Sequence, residues 1–115
     1  MPPERDAATL LDLVNAARLV VSFVEGIDYA AFQADAKTQS ATIHQLLVIG
    51  EATKRLSDPF KAEHPSMPWR DMARMRDKMI HHYEAVDVAE VWRATQTDIP
   101  ALLEILEPLT PDRDT

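Results

Sequence analysis

Glycine is what this chain almost lacks. Gly26 and Gly50 are the only two in 115 residues. Hairpin turns and phosphate-cradling loops draw their positive-φ positions from glycine. Its scarcity therefore argues against a β-rich fold and against a Gly-rich nucleotide loop. Apolar residues recur instead at helical spacing along most of the chain. At 115 residues the chain is large enough for one core and not for two, and 46% hydrophobic residues exclude a disordered chain. The expectation is one all-α domain over residues 1–115, an antiparallel bundle of four to five helices.

The helices can be placed by their stripes and stops. Leu10, Leu13, Val14, Ala17, Val20, Val21 and Val24 form the inner stripe of a first helix from about Asp6 to Glu25, which Gly26 ends. Asp28 is positioned to cap a short turn carrying Tyr29 and Phe32. A second helix starts at Asp35 and runs to about Leu56, with Ile43, Leu46, Leu47, Ile49 and Gly50 on its buried side. A glycine inside a helix costs about 1 kcal/mol relative to alanine, so Gly50 predicts close approach of another helix. Ser57-Asp58-Pro59 breaks the pattern, and a short segment follows through His64.

Pro68 opens a third helix whose apolar positions are Met72, Met75, Met79 and Ile80. The last helix begins near Asp87, where Asp87-x-x-Glu90 has the form of a capping box. Val88, Val91, Trp92, Ile99, Leu102, Leu103 and Leu106 supply its inner face, and Pro100 should kink or split it. Trp69 and Trp92 read as core residues or interface anchors.

Charge and composition narrow the chemistry. Cysteine is absent, which excludes disulfides, thiolate metal sites and a cysteine nucleophile. The four histidines (His44, His64, His81, His82) show no ligand spacing, so no metal and no cofactor is expected. Net charge is −7, a poor general basis for nucleic-acid binding. The stretch from Lys54 to Lys78 nevertheless carries +3 while the rest carries −10, so an anionic ligand belongs near it. The N-terminus is charged and lacks an apolar signal core. The longest apolar run, Leu19 to Val24, is far short of the roughly 18 residues that span a membrane. A cytoplasmic protein without a membrane partner is expected.

The segment Arg76-Asp77-Lys78-Met79-Ile80-His81-His82-Tyr83 concentrates the chemistry. On a straight helix Arg76 and Tyr83 share a face, while His81 lies about 140° from Arg76. They converge only if the helix ends here or a second copy contributes. On spacing alone, a polar helix end before the turn at Glu84 to Asp87 is the favoured reading. Glu51 reads either as a carboxylate orienting Arg76 or as one half of a structural ion pair. His44, on the same face of its helix, is expected to make a polar interior contact.

The run Ala41 to Ser57 (ATIHQLLVIGEATKRLS) resembles the second helix of HepT-like toxins of the HEPN superfamily. The likeness continues through His64-Pro65, Pro68-Trp69-Arg70, Met75-Arg76-Asp77, Ile80-His81-x-Tyr83 and Val86-Asp87, and closes at Asp98-Ile99-Pro100. It spans nearly the whole chain, Arg5-Asp6 and Leu11-Asp12-Leu13 included. The family signature Arg-x4-His-x-Tyr falls on Arg76, His81 and Tyr83, with Asp77 where Asn is often found.

The resemblance implies a metal-independent endoribonuclease toxin that acts as a homodimer on RNA, tRNA among the possible targets. It also implies an MntA-like nucleotidyltransferase antitoxin that silences the toxin by AMPylation of Tyr83. Arg76 and His81 would be catalytic, Tyr83 site-shaping or the AMP acceptor, and Asp77 and Glu51 supporting.

The chemistry agrees. RNA carries its own nucleophile, the 2′-hydroxyl. An imidazole suits the proton transfers, and a guanidinium suits the phosphorane oxygens. The alternative is a non-catalytic helical module that binds a nucleotide or a nucleotidyltransferase. His82 lies outside the signature, and its replacement should be mild.

Overall fold

The computed structural model describes residues 4–81 and 87–110, with the backbone alone at residues 4, 5 and 81. Among the described residues there is no strand. The helices are α1 (Glu4–Val24), α2 (Tyr29–Gln33), α3 (Ala36–Arg55), α4 (Asp58–Glu63), α5 (Trp69–His81), α6 (Val88–Arg93) and α7 (Ile99–Leu106). α6 and α7 are joined by a π-helical segment, Ala94–Asp98, and a 3₁₀ turn, Glu107–Leu109, follows α7. Taking α6 and α7 as one interrupted rod, the bundle has the expected four long members, with α2 and α4 as short links.

The stops work as their residue types dictate. Gly26 adopts φ +77° and turns the chain after α1. Asp28, Asp35 and Ser57 each cap the following helix, accepting from the amides of Ala31, Thr38 and Phe60. Asp87 caps α6 through the amide of Ala89. The capping box does not close, because the Glu90 carboxylate pairs instead with Lys78 at 3.5 Å. Pro100 cannot donate to the helical ladder, and the π turn just before it absorbs the missing bond.

α1 and α3 run antiparallel. The buried carboxylate of Asp6, at the start of α1, accepts from the Ser57 amide (3.0 Å) and hydroxyl (2.6 Å) just past the end of α3. Leu10, Leu13, Val14, Ala17 and Val20 of α1 are fully buried against Leu46, Ile49 and Ala52 of α3, and Ile99, Leu102 and Leu106 of α7 complete the core. Residues Asp6–Val24 are long and apolar enough, as a whole helix, to cross a membrane. A central core helix has that composition for the same reason, because its stripe must be shielded from water. Two stripe assignments fail. Val21 and Ile80 are exposed, each lying one position off the buried track of its helix.

α5 lies on the other flank of α3, where Met72 and Met79 enter the core. The two helices approach unusually closely at Gly50. A methyl group added there would overlap Cβ of Arg76, come within 2.8 Å of its Cγ and lie 3.4 Å from the Met72 carbonyl. The interior glycine is thus required by the crossing, and the residue it admits is Arg76.

A candidate active site at the crossing of two helices

Arg76 lies over Gly50 and reaches along α3. Its guanidinium forms an ion pair with the Glu51 carboxylate, Nη2 to Oε2 at 2.9 Å, and donates a hydrogen bond to Asp77 Oδ1 through Nη1 at 3.0 Å. Lys54 Nζ approaches the same Asp77 oxygen at 2.8 Å. Lys54–Asp77–Arg76–Glu51 is therefore a continuous chain of alternating charge across the two helices. The side chain of Arg76 is 26% exposed and that of Glu51 46%. The guanidinium is held in place yet still open to a ligand. The hydrogen bond from Lys54, and after it that from Arg76, hold the Asp77 carboxyl below the ordinary aspartate range.

With one N–H given to Asp77 and Nη2 ion-paired to Glu51, the rest of the guanidinium fork is uncommitted among the described residues. It faces an open hollow of about 340 Å³ lined by Leu47, Val48, Glu51, Arg55, Arg76 and Ile80. Ile80, 47% exposed, forms its apolar rim.

Glu51 is thus the partner of Arg76, and half-exposed rather than buried. His44 corrects the expectation of an interior contact. It is exposed, one turn and more away from the crossing. Trp69 and Trp92 are packed against the core. Trp69 donates its indole N–H to the carbonyls of Lys61 and His64, and Trp92 stacks obliquely on Tyr29 and Phe32. The backbone of His81 closes the described part of α5, whereas its side chain, together with His82 and Tyr83, lies outside the described residues. In sequence Lys54 is one residue of a basic stretch. Its place beside the arginine arises from the crossing of α3 and α5, and no local pattern signals it.

A family model for "Ribonuclease HepT-like" proteins matches residues 13–109. The chain belongs to the HepT-like ribonuclease family. It is 47% identical over 93 residues to a Thermococcus cleftensis protein named "Probable ribonuclease HepT", an overlap of 81% of this chain and 84% of that one. It is 35% identical over 112 residues to the RNase-designated MJ0127 of Methanocaldococcus jannaschii, covering 97% and 93% of the two chains. A third relative, the RNase-designated TTE0752 of Caldanaerobacter subterraneus, is 33% identical over 90 residues, which is 78% of this chain and 80% of that one. No solved structure matches the chain.

Proposed function

We propose that this HepT-like chain is a metal-independent endoribonuclease toxin whose site is shared by two copies of the bundle. Its antitoxin would be an MntA-like nucleotidyltransferase that transfers AMP to Tyr83. The observation that carries the reading is the seating of Arg76. A guanidinium laid over an obligatory glycine and oriented by two carboxylates is a preorganised phosphate clamp, not a mobile surface charge.

The reaction needs no outside nucleophile. The ribose 2′-oxygen attacks the adjacent phosphorus and gives its proton to one His81 imidazole. The bond from phosphorus to the 5′-oxygen breaks, and the leaving oxygen takes a proton from a second His81 contributed by the other copy. The products are a 2′,3′-cyclic phosphate and a 5′-hydroxyl. Arg76 stabilises the added negative charge on the non-bridging oxygens during the step. Glu51 and Asp77 keep the fork from rotating away. The apolar rim beside Arg76, exposed Ile80 with partly buried Leu47 and Val48, supports a second copy covering this face. AMP on Tyr83 would add bulk and negative charge where RNA phosphates must enter.

Induced expression tests the reading in cells. Growth should arrest with the native chain and proceed normally with Arg76→Ala or His81→Ala. Arrest that persists in both variants would refute the proposal. It would leave the accessory-module alternative, in which neither side chain performs chemistry. On co-expression with the antitoxin, the intact mass should rise by one adenylyl group in the native chain and stay unchanged in Tyr83→Phe.

A further inference from the structure

We propose that the hollow between α4 and the first turns of α5 is a second phosphate subsite, which holds the RNA strand a short distance from the bond that Arg76 addresses. The inference rests on the ribonuclease reading for its purpose, but on separate residues for its geometry. The hollow measures about 570 Å³ and is walled by Lys54, Lys61, Trp69 and Arg70, with Asp71 as its one acidic residue. It therefore holds an excess of two positive charges.

The hollow on the opposite side of α5 is the internal comparison. It is lined by three basic residues (Arg74, Lys78, Arg93) and three acidic ones (Asp71, Glu90, Asp98), and is neutral. In a chain of net charge −7, an open concavity with a positive excess focuses anions.

The donors are available. Arg70 makes no ion pair among the described residues. Lys61 has only a distant partner, fully exposed Asp58 at 3.9 Å. Trp69 cannot swing, because its N–H is fixed on the Lys61 and His64 carbonyls at 3.2 and 3.0 Å. It is a preset aromatic wall beside the cations, the combination that single-stranded nucleic acid uses.

The hollow is linked to the candidate site through the carboxylate of Asp77. Lys54 lines it and binds the same Asp77 oxygen as Arg76. Arg70 and Arg76 are separated by about 9 Å along the axis of α5. Six residues also turn the two side chains about 120° apart, so a strand that rests one phosphate on Arg76 and another in the hollow curves around α5 past Lys54.

The test uses the intact 115-residue chain and three double variants: Lys61→Glu with Arg70→Glu, its neutral counterpart Lys61→Gln with Arg70→Gln and, as a charge-matched control on the neutral side, Arg74→Glu with Arg93→Glu. Binding of a fluorescent, non-cleavable 2′-O-methyl oligonucleotide is measured across a salt series. The first variant should lower the slope of log affinity against log salt by about 0.7, the value for one lost single-strand phosphate contact. The control should leave it near the native value. Lys61→Gln with Arg70→Gln should give the same loss without adding negative charge. Cleavage of a long oligoribonucleotide should lose more of its kcat/KM than cleavage of a dinucleotide.

A native slope in the first variant, or an equal loss in the control, overturns the subsite. Retained RNA binding with lost capture of the antitoxin overturns it too, and assigns the hollow to a protein partner. If the native protein cleaves neither substrate but the slopes separate as stated, the ribonuclease reading falls and the subsite stands.

Discussion

Replacing Gly50 by alanine tests the crossing that seats Arg76. In an unobstructed helix the change would stabilise the protein by about 1 kcal/mol, because glycine is the poorer helix former. Here the new methyl meets Cβ and Cγ of Arg76, atoms anchored to the α5 backbone rather than the free end of a flexible chain. Relief therefore requires α5 to move off α3. Overpacking of that kind costs about 1–3 kcal/mol, and a clash against backbone-anchored atoms belongs in the upper part of that range. The net expectation for Gly50→Ala is a loss of about 1–2 kcal/mol, read as a lower urea midpoint. Ribonuclease activity should fall further than stability accounts for, since the displaced guanidinium leaves Glu51. Gly26→Ala is the comparison. Its backbone is at φ +77° with open space around it, so it too should destabilise, with activity per folded molecule kept. A Gly50→Ala protein that is more stable than the native one and fully active would refute the argument.

Three further outcomes follow from the same geometry. Asp6→Ala removes the buried acceptor of the Ser57 amide and hydroxyl and should cost about 1–3 kcal/mol in urea unfolding, with Asp6→Asn intermediate. Burial raises the pKa of Asp98, so its ionised form opposes folding; stability from this group falls as pH rises from the ordinary carboxylate value through the raised one. Asp98→Asn should therefore be more stable than the native protein at neutral pH, and the gap should close in acid unfolding curves. Glu51→Gln keeps the shape but not the charge beside Arg76, and should lower kcat with little change in thermal midpoint, because the pair is half-exposed.

The fold was legible because its punctuation is local. Gly26, Asp28, Asp35 and Ser57 act within a few residues of themselves, so their caps and stops can be read from neighbouring sequence. Val21 and Ile80 were misplaced because an apolar residue at the edge of a stripe satisfies the helical period whether it faces the core or water. Pro100 announced an interruption, yet the form it took, a π turn, depends on how α7 must still reach α1. At the candidate site, Gly50 predicted a close neighbour but not which one. The pairing of Arg76 with Glu51, and of Asp77 with Lys54, spans more than twenty positions of sequence and exists only through the crossing of α3 and α5. Glu90 and His44 show the converse, since a fitting local pattern was overruled by a partner on another helix or by solvent.

The most direct measurement is the chemistry of the cut ends. Purified, unmodified protein is incubated with total RNA and with tRNA in EDTA, and the new termini are identified. The account predicts 2′,3′-cyclic phosphates and 5′-hydroxyls, with no cleavage where the scissile residue is 2′-deoxy. Ends bearing a 3′-hydroxyl and a 5′-phosphate, or a cut at the deoxy position, would contradict it.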